Sequence, residues 1–159
     1  VIKFQVMHNI SNTGNVGQQT WSALFSDSAK SMVSDYEYSQ ILANYEAMKV
    51  QRAEATEQMN QLTVKTSSTA SKGAMNLTWS SSSAVLDIDS VQIDGYELWK
   101  STSKSSDWQL LKSTTGKKFK NTSNIKKGTR YYYKVRAYRE IGGQKIYSPW
   151  SNVTYKIAK

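Results

Sequence analysis

The run Gly128-Thr129-Arg130-Tyr131-Tyr132-Tyr133-Lys134-Val135-Arg136-Ala137-Tyr138 constrains the fold more than any other segment. It reads as one long strand entered through a tight turn. Tyr131, Tyr133, Val135 and Ala137 fall on one face, and Arg130, Tyr132, Lys134, Arg136 and Tyr138 on the other. A strand that is apolar on one side and cationic on the other belongs to an antiparallel sheet with one wet face. The second half of the chain is therefore expected to be a β-sandwich, an architecture that more often binds or spaces than catalyses.

Turn signals cut the neighbouring sequence into further strands. Thr63 to Lys72 is Ser/Thr-rich and reads as a short edge strand. Ala74 to Ser80 places Met75, Leu77 and Trp79 on one face, and Gly95 to Ser101 points Tyr96 and Leu98 inward. Trp108 to Lys112, Lys118 to Asn121, the long strand 130–139, Lys145 to Ser148 and Val153 to Ile157 follow. Ile141-Gly142-Gly143-Gln144 is a hairpin turn, because glycine supplies the positive φ that such turns need. Short strands at this spacing in about 95 residues, without cysteine, predict a seven-stranded immunoglobulin-like sandwich that has no disulfide.

Ahead of the sandwich, Ser34-Asp35-Tyr36-Glu37 matches a capping box. Tyr38, Ile41, Tyr45, Met48, Arg52, Ala55, Met59 and Leu62 then recur at spacings of three and four, so a helix is expected from Asp35 to Leu62. The stripe either packs on its own chain or forms a weak coiled-coil dimer. Charge also divides the chain. Val1 to Val64 carries 4 basic and 6 acidic side chains, and Lys65 to Lys159 carries 17 and 6. The second part thus calls for an anionic partner or surroundings. No apolar run approaches the length of a membrane span. The chain does not begin with Met and shows no signal peptide, so it is expected to be a mature product or a fragment.

Four segments in order resemble a fibronectin type III domain over roughly residues 62–159. They are Leu77-Thr78-Trp79, Asp94-Gly95-Tyr96-Glu97-Leu98, Gly128 to Ala137, and Tyr147-Ser148-Pro149-Trp150-Ser151. The resemblance implies that Trp79 is the core tryptophan. It also implies that Tyr131 is a tyrosine-corner residue, bonding back to the backbone near Ile125. Val1-Ile2-Lys3-Phe4-Gln5 and Thr13 to Phe25, with Gly14-Asn15-Val16-Gly17 and Thr20-Trp21, resemble the second half of a three-helix peptidoglycan-binding domain of bacterial wall hydrolases. This divides the chain into a partial peptidoglycan-binding-like piece (1–25), a helical connector (26–62) and a fibronectin type III module (63–159).

No catalytic set is visible. His8 is the only histidine and cysteine is absent, so a Ser–His–Asp triad, a Cys–His pair and a His-rich metal site are excluded within one chain. Asp87, Asp89 and Asp94 lack the glycine and distal Glu of a calcium loop and read as a solvated loop. No cofactor or metal is expected. The candidate ligand-binding residues are Trp99, Tyr132, Lys134 and Arg136 on a wet sheet face, with Lys117 and Lys118 in a nearby basic run. That face reads in two ways: as a platform for a sugar ring or an anionic polymer, or as a cross-strand ladder of cations over aromatic rings. No nucleic-acid motif is present. The chain is therefore expected to be a non-catalytic binding or spacer module of a secreted bacterial surface or wall-remodelling protein. It would be extracellular, wall-associated, and a partner of peptidoglycan or anionic wall polymer. The alternative is a protein–protein adhesion module, monomeric or a weak homodimer through residues 35–62.

Overall fold

The computed structural model describes residues 35–159. The peptidoglycan-binding-like piece 1–25, with His8, and the first residues of the connector lie outside them. The chain divides into two units, Val1–Gln51 and Arg52–Lys159, and helix α1 (Asp35–Asn60) crosses that boundary. The heptad stripe is the sheltered side of α1. Tyr38, Ile41, Tyr45, Met48 and Arg52 are half-buried, and Ala55 and Met59 are buried. Within the second unit, the end of the helix is fastened to the sandwich. Met59 joins the core, and the Arg52 guanidinium donates to the carbonyls of Ile141 and Gly142, both at 3.2 Å.

The helix ends two residues earlier than its stripe suggests. Leu62 keeps a place in the three-four spacing, but it is the first inward residue of strand β1 (Leu62–Ser71). Here pairing with β2 (Ala74–Ser83) overrides helical periodicity, and it runs unbroken from Leu62 opposite Ser83 to Ser71 opposite Ala74. β1 is thus a full ten-residue strand, not a short one. Its inward Thr66 and Ser68 are tolerated in the interior because their hydroxyls are satisfied. Thr66 donates to the Thr78 carbonyl at 3.1 Å, and Ser68 pairs with Thr154 at 2.8 Å.

A loop follows β2, with a 3-10 turn at Ile88–Ser90. Then come β3 (Gly95–Ser101), β4 (Gln109–Thr114), β5 (Lys118–Asn121), β6 (Arg130–Ile141), β7 (Gln144–Tyr147) and β8 (Thr154–Ile157). One sheet runs β1-β2-β5, and the other β4-β3-β6-β7 with β8 also on β6. The Gly142-Gly143 turn has φ of 58° and 74°, as the hairpin demands. The core lies between the sheets. Met75, Leu77 and Trp79 come from one side and Tyr96, Leu98, Tyr131, Tyr133, Val135 and Ala137 from the other. The tyrosine corner brackets Ile125: the Tyr131 hydroxyl donates to the Asn124 carbonyl and accepts from the Lys126 amide, both at 3.0 Å.

β7 and β8 are two halves of one strand. Continuing the β7 register would set Val153 opposite Tyr132, but Tyr155 stands there, so the break absorbs two extra residues. Pro149 cannot donate to a ladder, which accounts for an interruption at this place. Serine side chains carry the pairing across it. The buried amides of Ala137 and Val135 donate to Ser148 Oγ and Ser151 Oγ, both at 2.9 Å. In return the Ser148 and Ser151 amides donate to the carbonyls of Ala137 and Val135. Asn152 acts likewise toward β1, accepting from the Thr66 amide and donating to its carbonyl, both at 2.9 Å.

Candidate functional site

Register places the charged and aromatic residues of the larger sheet side by side on its outer face. Glu97 is opposite Arg136, Trp99 opposite Lys134, Tyr138 opposite Tyr147, and Tyr132 opposite Tyr155. Directly opposed residues share a face and touch. The broken strand then turns Trp150 over them.

Glu97 is the anionic centre of this face and is only 4% exposed. Its Oε2 accepts from Arg136 at 2.7 and 3.1 Å and from Trp99 Nε1 at 3.4 Å. Its Oε1 accepts from the Tyr147 hydroxyl at 3.0 Å and from Lys145 at 3.4 Å. Burial pushes the carboxyl up, but the bonds from Arg136 and Tyr147 and the Arg136 charge outweigh it, so Glu97 is held below its ordinary value. Tyr147 is pushed up by burial and by its bond to the carboxylate. For Lys145 burial acts downward, yet the bond to Glu97 and its charge leave it raised.

The cations are also stacked. Arg136 lies 3.5 Å from the Tyr147 ring centroid, 4.5 Å from that of Trp150 and 5.8 Å from that of Trp99. Lys134 sits 4.1 Å from Trp150 and 4.4 Å from Trp108, and Lys145 sits 4.2 Å from Tyr138. Trp99 and Trp150 meet edge to face at 5.7 Å. Burial and the Arg136 charge lower Lys134 below its ordinary value. Each exposed cation–π contact contributes about 0.5–1 kcal/mol. The arrangement is thus a ladder in which each cation is paired with Glu97 or covered by rings.

Of the six candidates, the structure brings together Trp99, Lys134 and Arg136 around Trp150. Tyr132 stands further along the same face with Tyr155, ring centroids 5.5 Å apart, and with Arg130 5.1 Å from the Tyr155 ring. Lys117 and Lys118 belong to the other sheet. Lys118 begins β5 opposite Thr78, and the Lys117 carbonyl accepts from the Trp79 amide at 3.0 Å. The face is also less open than strand alternation implies, since Trp99, Lys134 and Arg136 are half-buried under Trp150 and one another. The rings that remain open are those of Trp150, 39% exposed, and Tyr155, 52% exposed, with Leu110 and Ile157 the exposed aliphatic side chains beside them. Beside Trp150 an open groove of about 470 Å³ is lined by Leu62, Val64, Thr66, Pro149 and Asn152.

Sequence reasoning passed over Trp150, Tyr147 and Tyr155 as site residues. The usable signal was the Tyr147-Ser148-Pro149-Trp150-Ser151 run, in which serines three apart flank a proline break and so re-aim a tryptophan. The site offers contact surfaces but no proton-transfer pair, because its one carboxylate is saturated by donors. Asp87 caps the 3-10 turn through the Asp89 amide, and Asp94 accepts from the Glu140 amide at 2.7 Å and from Gln92 at 2.9 Å. These acids build a loop. Among the described residues no group of three His, Asp or Glu is placed to hold a metal, and no helix is long and apolar enough to cross a membrane.

The chain is similar in structure to the fibronectin type III domain derived from the human KIAA0970 protein. The TM-score is 0.50 at 20% identity, covering 81% of this chain and 85% of that one. It is also similar to an Fn3-like protein from Clostridium thermocellum, with TM-score 0.43, 20% identity and coverage of 60% and 88%. Part of pectate lyase Pel3 from Pectobacterium carotovorum matches with TM-score 0.46 and 15% identity over 59% of this chain. The chain spans about a quarter of that lyase's length, 26%. No family model and no curated protein matches the sequence. At these identities the likeness is one of fold: a two-sheet β-sandwich of the fibronectin type III kind, preceded by a helix.

Proposed function

We propose that this chain is a non-catalytic binding or spacer module of a secreted, wall-associated bacterial protein, and that its sandwich contacts an anionic wall polymer. One observation carries the reading. Arg52–Lys159 holds 18 Lys and Arg against 8 Asp and Glu, and among the described residues of that unit only Arg136 and Lys145 are in ion pairs, both with Glu97. A surface with this much unpaired positive charge recruits polyanions. The Gly14 to Trp21 pattern, resembling a peptidoglycan-binding domain, supports placing that polyanion in a wall.

The test is co-sedimentation of the chain with purified peptidoglycan, with and without its teichoic acid, across a salt series. The expected result is binding that needs teichoic acid and weakens steeply with salt. Absence of binding to either preparation at low salt refutes the wall reading and leaves a protein-binding spacer. Binding that survives high salt without teichoic acid moves the site to the glycan, with Trp150 and Tyr155 as the rings available for stacking.

A further inference from the structure

The two ends of the sandwich differ in charge. At one end acids and bases are mixed: Asp87, Asp89 and Asp94 stand in the β2–β3 loop, tied to Glu140 beside the β6–β7 turn, with Arg139 acting on Asp94, Lys145 opposite Glu140 and Arg52 on the turn carbonyls. At the other end the β1–β2 turn, the β5–β6 loop and the end of β8 are stapled together. The Gly73 amide donates to the Lys159 carbonyl at 3.3 Å, Gly128 to Ala158 at 2.9 Å, and Ala158 to Thr129 at 2.9 Å. These ties gather Lys72, Lys126, Lys127, Arg130 and Lys156 from three separate stretches of sequence. All five are exposed, and none is in an ion pair. The β3–β4 loop reaches the same end, since Ser101 is opposite Tyr132, and it adds one charge of each sign, Lys104 and Asp107.

The loop that carries Lys126 and Lys127 is held firmly. Besides the Tyr131 corner, the Thr129 amide donates to the Lys126 carbonyl at 3.1 Å, and Asn124 and Gly128 take left-handed φ of 54° and 80°. Like charges fixed on such a frame repel and lower stability. On the sheet face the cations are paired or stacked. Here only Arg130 has such a contact, against a half-exposed Tyr155 ring. Residues that oppose the fold without local compensation are where function is expected.

We propose that this basic end is the docking site for a linear polyol-phosphate wall polymer. Lys72, Lys126, Lys127, Arg130 and Lys156 contact successive phosphates, and the Tyr155 ring lies against the polyol between them. Charges drawn from three segments along one end suit an extended polymer better than a single small anion. The inference rests on the wall-polymer reading above and gives that contact a place.

The experiment titrates the full chain with poly(glycerol phosphate) over a salt series. It compares K126Q/K127Q with K117Q/K118Q, which loses the same charge from the other sheet. Log affinity falls linearly with log salt, with about 0.7 of slope per phosphate contact on a flexible strand. K126Q/K127Q is expected to reduce the slope by about 1.4 and to weaken binding about tenfold at low salt, while K117Q/K118Q leaves the slope unchanged. K126Q/K127Q should also melt higher at low salt, because repulsion is relieved, so misfolding cannot imitate the loss. Equal losses in both variants overturn the site and leave the polymer reading standing. No binding by the unsubstituted chain overturns both. Tighter binding of single-stranded DNA of equal phosphate count, lost in K126Q/K127Q, overturns the choice of partner.

Discussion

Replacing Glu97 with Gln tests whether the ladder holds the sandwich together or merely decorates it. The carboxylate accepts five hydrogen bonds, including the 2.7 and 3.1 Å pair from Arg136 and the 3.0 Å bond from Tyr147. Glutamine keeps the shape but turns one oxygen into an NH₂ group, which faces donors whichever way it is flipped. It also leaves Arg136 and Lys145 without a counter-charge. Breaking one side of a buried pair costs about 3–5 kcal/mol. The Arg136 and Lys145 side chains are 21% and 31% exposed, so water restores part of their solvation. The cost therefore falls at the low end, about 3 kcal/mol. For a domain of this size that lowers the melting temperature by about 15 °C. Urea unfolding of Glu97→Gln against the unsubstituted chain measures it directly. The pH dependence has a definite sign. Burial raises the Glu97 pKa, the Arg136 and Tyr147 bonds and the Arg136 charge together lower it by more, and the net position is below the ordinary 4.5. A depressed carboxyl contributes stability that is complete above its unfolded value and is lost as pH falls through its folded value. The gap between the two proteins should be widest near neutral pH and should close in acid below 4.5. A cost below about 1 kcal/mol at neutral pH, or a gap that acid leaves unchanged, would place Glu97 among ordinary surface ion pairs and refute the argument.

Two further substitutions probe the frame that supports the ladder. Ser148→Ala and Ser151→Ala each strand a buried backbone amide, that of Ala137 or Val135, and should each cost about 1–3 kcal/mol in urea unfolding. Full retention of stability in both would mean that water replaces the hydroxyls. Gly95→Ala sets a Cβ 2.7 Å from the Tyr138 hydroxyl oxygen and 2.8 Å from its ring carbon Cζ. The Tyr138 ring, on which Lys145 sits, must move, so a loss of about 1–3 kcal/mol is expected, and an unchanged midpoint would show that the ring is free to swing.

The strands were legible where alternation and turn chemistry agreed. Tyr131, Tyr133, Val135 and Ala137 point inward as their spacing demands, and Gly142-Gly143 makes the hairpin. Two pieces of the fold were hidden for different reasons. Leu62 fits both the helical spacing and the first inward position of β1, so periodicity alone cannot assign it. β1 looked short because its inward Thr66 and Ser68 are polar, and the partners that admit them, Thr78 and Thr154, lie on other strands. The site was legible by face but not by depth. Alternation correctly sends Glu97 and Trp99 outward, but an outward residue need not be exposed when neighbouring rings and a re-aimed tryptophan cover it. Lys117 and Lys118 are near the other basic residues in sequence, while the cations that the fold gathers at one end come from distant segments.

The cations of the sandwich thus fall into two groups with opposite effects on stability. Arg136 and Lys145 are paired with Glu97, so their charge strengthens the fold, and Lys134 is covered between the Trp108 and Trp150 rings, so these charges are largely spent within it. Lys72, Lys126, Lys127 and Lys156 have no such partners, so their charge weakens the fold and remains available. Salt should therefore act unequally on the two groups. Screening relaxes repulsion at the basic end and stabilises it, while the low exposure of Glu97 shields the ladder from the same ions. A domain built this way gains stability from added salt, as it would from a bound polyanion. That coupling is the physical reason to look for its partner at the end of the sandwich and not on its aromatic face.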